Sequence, residues 1–324
     1  MTVPVLAKEI LPLLPGEIRR ILAAQEKSVQ DTAEEIRLAV GQPLYLYYAG
    51  KEKMLQAPGS HSPYRVSRED VSRIVQIISK FSLYAFEDEL KHGYITIPGG
   101  HRVGLTGRTI LDAGRVKRLC SISSINIRIA RQVLDAARPL LPFLVEKGRN
   151  SLCHTLIVSA PKRGKTTLLR DMARVLSSGS SLLPPLRVGI VDERSELSGC
   201  FQGVPQLDVG PRTDVLDACP KAEGMMMLIR AMGPQVIITD EIGREEDVFA
   251  LREALNAGVV VVTSAHAGSF ADLKGRPVFQ RILAEGFFQR FVLLGVSRGI
   301  GTVESILDRE GKPIYRGGIL TCSS

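Results

Sequence analysis

A parallel α/β sheet in the second half of the chain, with a smaller α+β module ahead of it, is the fold class this sequence predicts. Three observations predict it. Short β-rich runs alternate with helical patterns from residue 155 onward, one of those runs enters a tight loop containing Gly164, and another ends in the carboxylate pair Asp240-Glu241. Alternation of this kind places helices on both faces of a parallel sheet, so that each strand is buried on both sides.

At 324 residues the chain exceeds the length at which one hydrophobic core stops growing, so two domains are expected. The composition, 44% hydrophobic and 23% charged, is that of a globular protein, and the absence of Trp argues against a base-stacking platform. A net charge of +8 suits an anionic partner, but the basic residues are spread along the chain, which reads as a solvated surface with no stable nucleic-acid partner. Five cysteines (Cys120, Cys153, Cys200, Cys219, Cys322) form no C-x-x-C pair. Reduced thiols and a cytoplasmic location are therefore expected. The first residues carry charges and prolines through their apolar part, unlike a signal peptide, and no uncharged apolar stretch approaches the ~20 residues that a bilayer requires.

In the first half, Ile18, Ile21 and Leu22 have the spacing of a short amphipathic helix over 16–24. A second helix is expected over 67–80, opening with the capping pattern Ser67 to Asp70, and a third over 82–91. Strands are predicted at 36–40, 44–48, 94–98, 102–110 and 125–129, with Gly99-Gly100 and Gly114 marking turns between them. The module is expected to span 1–135. Residues 136–150 read as a linker containing a helix at 138–147, and the nucleotide-binding candidate occupies 151–324.

The chemistry concentrates in the second half. Thr155 to Ser159 is a buried-strand pattern, and it runs into Ala160, Pro161, Lys162, Arg163, Gly164, Lys165, Thr166 and Thr167, where a helix begins. A strand, a tight loop and a helix start make backbone N–H groups converge on phosphate oxygens. Lys165 would bridge the outer phosphates of ATP and the Thr166 hydroxyl would ligate Mg2+. Ser159 stands where the usual phosphate loop begins with glycine.

Val236 to Thr239 is a second apolar strand, and it delivers Asp240 to the metal and Glu241 to the attacking water. Asp192 and Glu193 end a third strand, where they either touch the metal's water shell or cap a turn. His266 follows the strand at 259–263; it either senses the γ-phosphate or serves structure. Met225 to Met227 read as helix core.

The segments SAPKRGKTTLLRD (159–171), DERSE (192–196), DVGPRTDVL (208–216), KAEGMMM (221–227) and TDEIG (239–243) closely resemble the stage III sporulation protein AA family. KHGYITIPGGHRVG (91–104) and SSINIRIAR (123–131) extend the resemblance over nearly the whole chain. The resemblance implies a P-loop NTPase of RecA/AAA+ type, related to the type II and type IV secretion ATPases. It further implies Mg2+ and ATP as cofactors, hydrolysis in a ring, sixfold assembly, and a mother-cell location on the cytoplasmic face of an integral membrane sporulation complex.

On the same resemblance, Lys165 and Thr166 belong to the Walker A loop, Asp240 and Glu241 to Walker B, Asp192 and Glu193 to an acidic box, and His266 to a histidine box. Arginines from the N-terminal domain complete such sites. Arg128 and Arg131 are the candidates here, with Arg212 and Arg230 behind them, and solvated strand-edge arginines are the alternative. Two rival functions stay open: a nucleic-acid-translocating ATPase, and a nucleotide-gated scaffold with little turnover.

Overall fold

The computed structural model describes residues 4–79, 93–112, 114–146, 148 and 151–317, and the chain divides into two compact units, 1–131 and 132–324. The helix expected at 82–91 lies outside the described residues.

In the first unit, six described strands form one antiparallel sheet: β1 (Ala33–Ala39), β2 (Tyr45–Tyr48), β3 (Lys51–Met54), β4 (Tyr94–Ile97), β5 (His101–Asp112) and β6 (Arg115–Arg128). Their order across the sheet is β3-β2-β1-β6-β5-β4. Alternation decides which face is covered: Ile36 and Leu38 of β1 point into the core while Arg37 between them is exposed. Ile18, Ile21 and Leu22 of α1 (Gly16–Ala23) and Val71, Ile74 and Ile78 of α3 (Arg68–Ile78) fill that core; the short α2 (Lys27–Asp31) adds Val29. The capping box opening α3 is formed, with Ser67 and Asp70 exchanging side-chain and backbone bonds.

The second unit is built on an eight-stranded sheet in the order β11-β10-β12-β13-β9-β14-β15-β16. These strands are β9 (Thr155–Ser159), β10 (Val188–Asp192), β11 (Thr213–Asp217), β12 (Val236–Glu241), β13 (Val260–His266), β14 (Arg290–Gly295), β15 (Thr302–Leu307) and β16 (Pro313–Arg316), with a separate small pair β7 (Val145–Glu146) and β8 (Ser151–Leu152). Strands β9 to β14 pair in parallel, and β15 and β16 continue the sheet antiparallel.

Each central strand feeds two cores. Ile157, Ile190 and Ile238 pack with Leu168, Met172 and Leu176 of α5 (Lys165–Ser178), which follows the short α4 (Leu141–Leu144). Leu156, Val191 and Ile237 pack on the opposite face with Met225 and Leu228 of α6 (Lys221–Ala231) and Val248 and Leu251 of α7 (Glu245–Asn256). Beyond α7, α8 (Phe270–Lys274) and α9 (Pro277–Ala284) contribute Leu273, Phe279 and Ile282 to the same core.

The segment expected as a linker behaves otherwise. Ala136, Ala137, Leu140, Leu141 and Leu144 are buried in the core under α5, and the Asp171 carboxylate accepts the N–H groups of Asp135 at 3.1 Å and Ala137 at 2.8 Å. The helix expected at 138–147 is reduced to a 3-10 turn (Arg138–Leu140) and α4, and the chain then leaves as β7. Pro139 and Pro142 each lack the N–H that would continue a longer helix. Leu140→Ala is expected to destabilise the second unit by about 2–5 kcal/mol, the cost of a cavity in a closed core, as read by urea unfolding. A change within a few tenths of that scale would return the segment to linker status.

Candidate functional site

The carboxyl ends of β9, β10, β12 and β13 meet around one cavity of about 850 Å³, lined by residues of the 161–167 loop together with Glu193, Lys221, Asp240, Glu241 and His266. β13 lies between the loop strand β9 and the acid-tipped β12. In a parallel sheet the carboxyl strand ends, with the helix starts that follow them, are where ligands sit.

The loop's shape explains its residues. Gly164 has φ +90°, and an added Cβ would lie 3.2 Å from the Gly301 Cα, so both the left-handed backbone and the close packing select glycine. Lys162 also takes a positive φ, +59°. Ser159 is not among the residues with positive φ, which is why serine serves where glycine is usual. Its hydroxyl donates to the Ala160 carbonyl at 2.9 Å, and it is buried beneath the loop, whose cavity-lining part starts at Pro161. The N–H groups opening α5 and the Thr166 and Thr167 positions face the same space.

Lys165 is buried and donates to the carbonyls of Ser159 (3.0 Å) and Ala160 (3.1 Å), and its Nζ lies 2.6 Å from His266 Nδ1. An ammonium can only donate, so Nδ1 accepts and Nε2 carries the hydrogen directed to Glu241 Oε2, 2.8 Å away. Lysine, histidine and glutamate thus form one chain across the tips of three elements. Burial pulls the Lys165 pKa down to about 8, against the opposing charge of Glu241.

On the far side of the cavity, Lys221 ion-pairs with Glu193 and sits 3.3 Å from Asp240 Oδ1. That oxygen is buried, and its contact with Lys221 is an ion pair short of good hydrogen-bond geometry. Burial pushes the Asp240 carboxyl up to about 6 despite Lys221, with Asp192 and Glu193 adding to the rise. Burial acts in the same direction on Glu193, but Lys221, Arg244 and Arg194 outweigh it and hold that carboxyl below its usual range.

Several expected residues take other places. Asp192 does not line the cavity; it is fully buried and accepts the N–H groups of Glu196 and Ser198, both at 2.8 Å, so it caps the 193–198 turn. Arg128 and Arg131 belong to the first unit, where Arg128 pairs with Glu35 at 3.5 Å and Arg131 donates to the carbonyls of Asp31 (2.7 Å) and Ala33 (2.8 Å). Arg212 donates to the Ser177 carbonyl at the amino end of β10 and β11, the end opposite the cavity, and Arg230 is exposed on α6.

Sequence reasoning gave no role to Lys221, Arg244 or Arg276, all of which line the cavity. Lys221 carried a usable signal. A lysine at the first position of a helix opposes the helix dipole, and such a placement asks for acidic partners.

The oxygens present suit a hard divalent cation. Asp240 offers a buried oxygen without a hydrogen bond, and the Thr166 hydroxyl faces the same cavity from the loop. Magnesium takes one or two protein oxygens of this kind and completes its shell with phosphate and water. Among the described residues, no group of three or more histidines, cysteines and acids is arranged to hold a metal ion.

The fold is that of P-loop ATPases of known structure. The chain superposes on the Legionella pneumophila ATPase DotB with a TM-score of 0.54 and 17% identity, over 81% of this chain and 72% of that one. It superposes on the pilus retraction motor PilT, solved with ADP, with a TM-score of 0.55 and 14% identity, over 93% and 84% of the two chains.

The family described as sporulation stage III, protein AA, matches residues 6–314. Stage III sporulation protein AA of Bacillus subtilis (strain 168) is 48% identical over 315 residues, 97% of this chain and 99% of that one. The chain belongs to the stage III sporulation protein AA family.

Proposed function

We propose that this chain binds magnesium ATP in the cavity at the strand tips and hydrolyses it as a motor of endospore formation. The observation that carries this reading is the convergence on one cavity of a buried loop lysine, a helix start, and the carboxylates of Asp240 and Glu241. Family membership supports the sporulation role, and the fold shared with a secretion ATPase and a pilus motor supports a mechanical one.

The loop N–H groups and Lys165 take the phosphates, Thr166 and Asp240 hold the metal, Glu241 orients and deprotonates the attacking water, and His266 senses the γ-phosphate through its contact with Glu241. Bound magnesium supplies charge neutralisation and orientation of the transferred phosphoryl group. Glu193 belongs to this acid cluster through Lys221.

The protein assembles as a ring, a hexamer, in which Arg128 and Arg131 act on a neighbour's site. It works on the mother-cell side, in the cytoplasm, docked through partners on a membrane complex reaching the forespore, which it energises or gates. No helix among the described residues is long and apolar enough to cross a membrane.

Glu241→Gln is expected to bind ATP with near wild-type affinity while turnover falls about 10²–10⁴-fold, the usual worth of a general base. Turnover of assembled protein by phosphate release, beside fluorescent-nucleotide binding, checks both halves; an unchanged rate sinks the catalytic assignment. A nucleotide-gated scaffold is the second reading, favoured by the 2.8 Å contact that keeps Glu241 on His266. Single-turnover measurement separates the two, because a scaffold leaves bound ATP intact.

A further inference from the structure

Lys221 is the first residue of α6, and its side chain is only 10% exposed between Glu193 and Asp240. Both the helix dipole and desolvation oppose a cation there. The two acids must therefore hold it, and they come from different strands: Glu193 follows β10 and Asp240 stands near the end of β12. The ammonium is the bridge between those strand tips.

The helix cannot readily carry it away. Gly224, one turn on, approaches β10 so closely that an added Cβ would lie 2.6 Å from Val191 Cγ1. The helix start is thereby clamped to the sheet beside the acids it serves.

We propose that Lys221 is the resident cation of the nucleotide-free site, filling the ground between Glu193 and Asp240 so that a divalent ion enters together with the nucleotide and not ahead of it. This rests on the nucleotide-binding reading above. Two carboxylates converging in a half-enclosed cavity repel one another and draw in any hydrated divalent ion. A fixed ammonium between them removes the first effect and opposes the second. A nucleoside triphosphate brings negative charge of its own, which Lys221 attracts, so a metal carried on the phosphates meets no such barrier. Lys221 is in this sense a positioning residue, setting where Glu193 and Asp240 stand and which cation they accept.

The test uses Mn²⁺ alone, its free fraction counted by electron paramagnetic resonance against the nucleotide-free full chain at neutral pH. Lys221→Met is expected to bind Mn²⁺ at least about tenfold more tightly than wild type, because a charge repulsion at close range is removed. Lys221→Arg, which keeps the charge, is expected to bind as weakly as wild type. Adding Glu193→Gln to Lys221→Met is expected to return the affinity toward wild type.

Equal Mn²⁺ affinity in wild type and Lys221→Met overturns the proposal, as does tight binding by Lys221→Arg. Lys221→Gln has a shorter stem with a neutral, hydrogen-bonding head and takes the same test if the methionine variant does not fold. Fluorescent ADP binding is measured on the same samples. If none of them binds ADP, the nucleotide reading fails while the Mn²⁺ comparison still decides the role of Lys221.

Discussion

Lys165→Ala is expected to lower affinity for magnesium ATP by about a hundredfold, the equivalent of one or two charge-assisted hydrogen bonds to phosphate. The loss is smaller than the full strength of those bonds, because the nucleotide-free lysine is already satisfied by the Ser159 and Ala160 carbonyls and by His266. On the proposed reading, binding would exchange these partners for phosphate oxygens and would free His266 Nδ1, whose ring contacts Glu241 through Nε2. Fluorescent-nucleotide titration checks the affinity, and a variant that binds within a few-fold of wild type removes Lys165 from the phosphates.

The same residue makes a pH prediction. Its pKa is about 8 in the folded nucleotide-free chain against an ordinary 10.5, so between those values the unfolded chain holds a proton the folded chain has released. Stability contributed at this position therefore rises with pH across that window. Urea midpoints of wild type minus those of Lys165→Met should show this rise, and a flat difference contradicts the burial of the charge.

The second half of the fold was legible because its signals are local. A buried strand such as Val236 to Thr239, written in β-branched residues and closed by charge, has few other readings. The strands β11 and β14 to β16 were missed. Thr213–Asp217 has only Val215 and Leu216 as apolar residues and lies at the sheet edge, and the last three strands follow the catalytic candidates without a motif to announce them. The segment 136–150 read as a linker from a helical pattern over 138–147 followed by Gly148, whereas Leu140, Leu141 and Leu144 find their core only once α5 is folded over them.

The site was legible where chemistry has a sequence pattern, and opaque where it depends on which way a side chain turns. Lys165 at a helix start and Asp240, Glu241 and His266 at strand ends face one cavity. Asp192 and Glu193 are neighbours at the end of one strand, yet successive side chains there point to opposite sides, so one is fully buried and the other meets Lys221. No periodicity in the sequence tells which of the two goes inward. Lys221 had one local signal, a lysine at a helix start, which does not say which acids hold it, because its partners arrive from two other elements.

Asp192→Ala is accordingly expected to behave as a stability variant. The carboxylate accepts the backbone N–H groups of Glu196 and Ser198, while Arg170 donates to the carbonyls of Leu197 (2.5 Å) and Glu196 (2.7 Å), so one turn is held by buried charge from two sides. Burial raises the Asp192 pKa against the pull of these backbone donors. Alanine leaves two inward-facing N–H groups without an acceptor, at a combined cost on the order of 3 kcal/mol. Asparagine keeps one acceptor but turns its own donor toward the second N–H, so it recovers half of that loss at most. Because the carboxylate does not line the cavity, nucleotide affinity of the molecules that remain folded should stay within a few-fold of wild type. Urea unfolding paired with nucleotide titration below the transition separates the roles. A large loss of affinity with unchanged stability would move Asp192 out of the turn and into the metal's water shell.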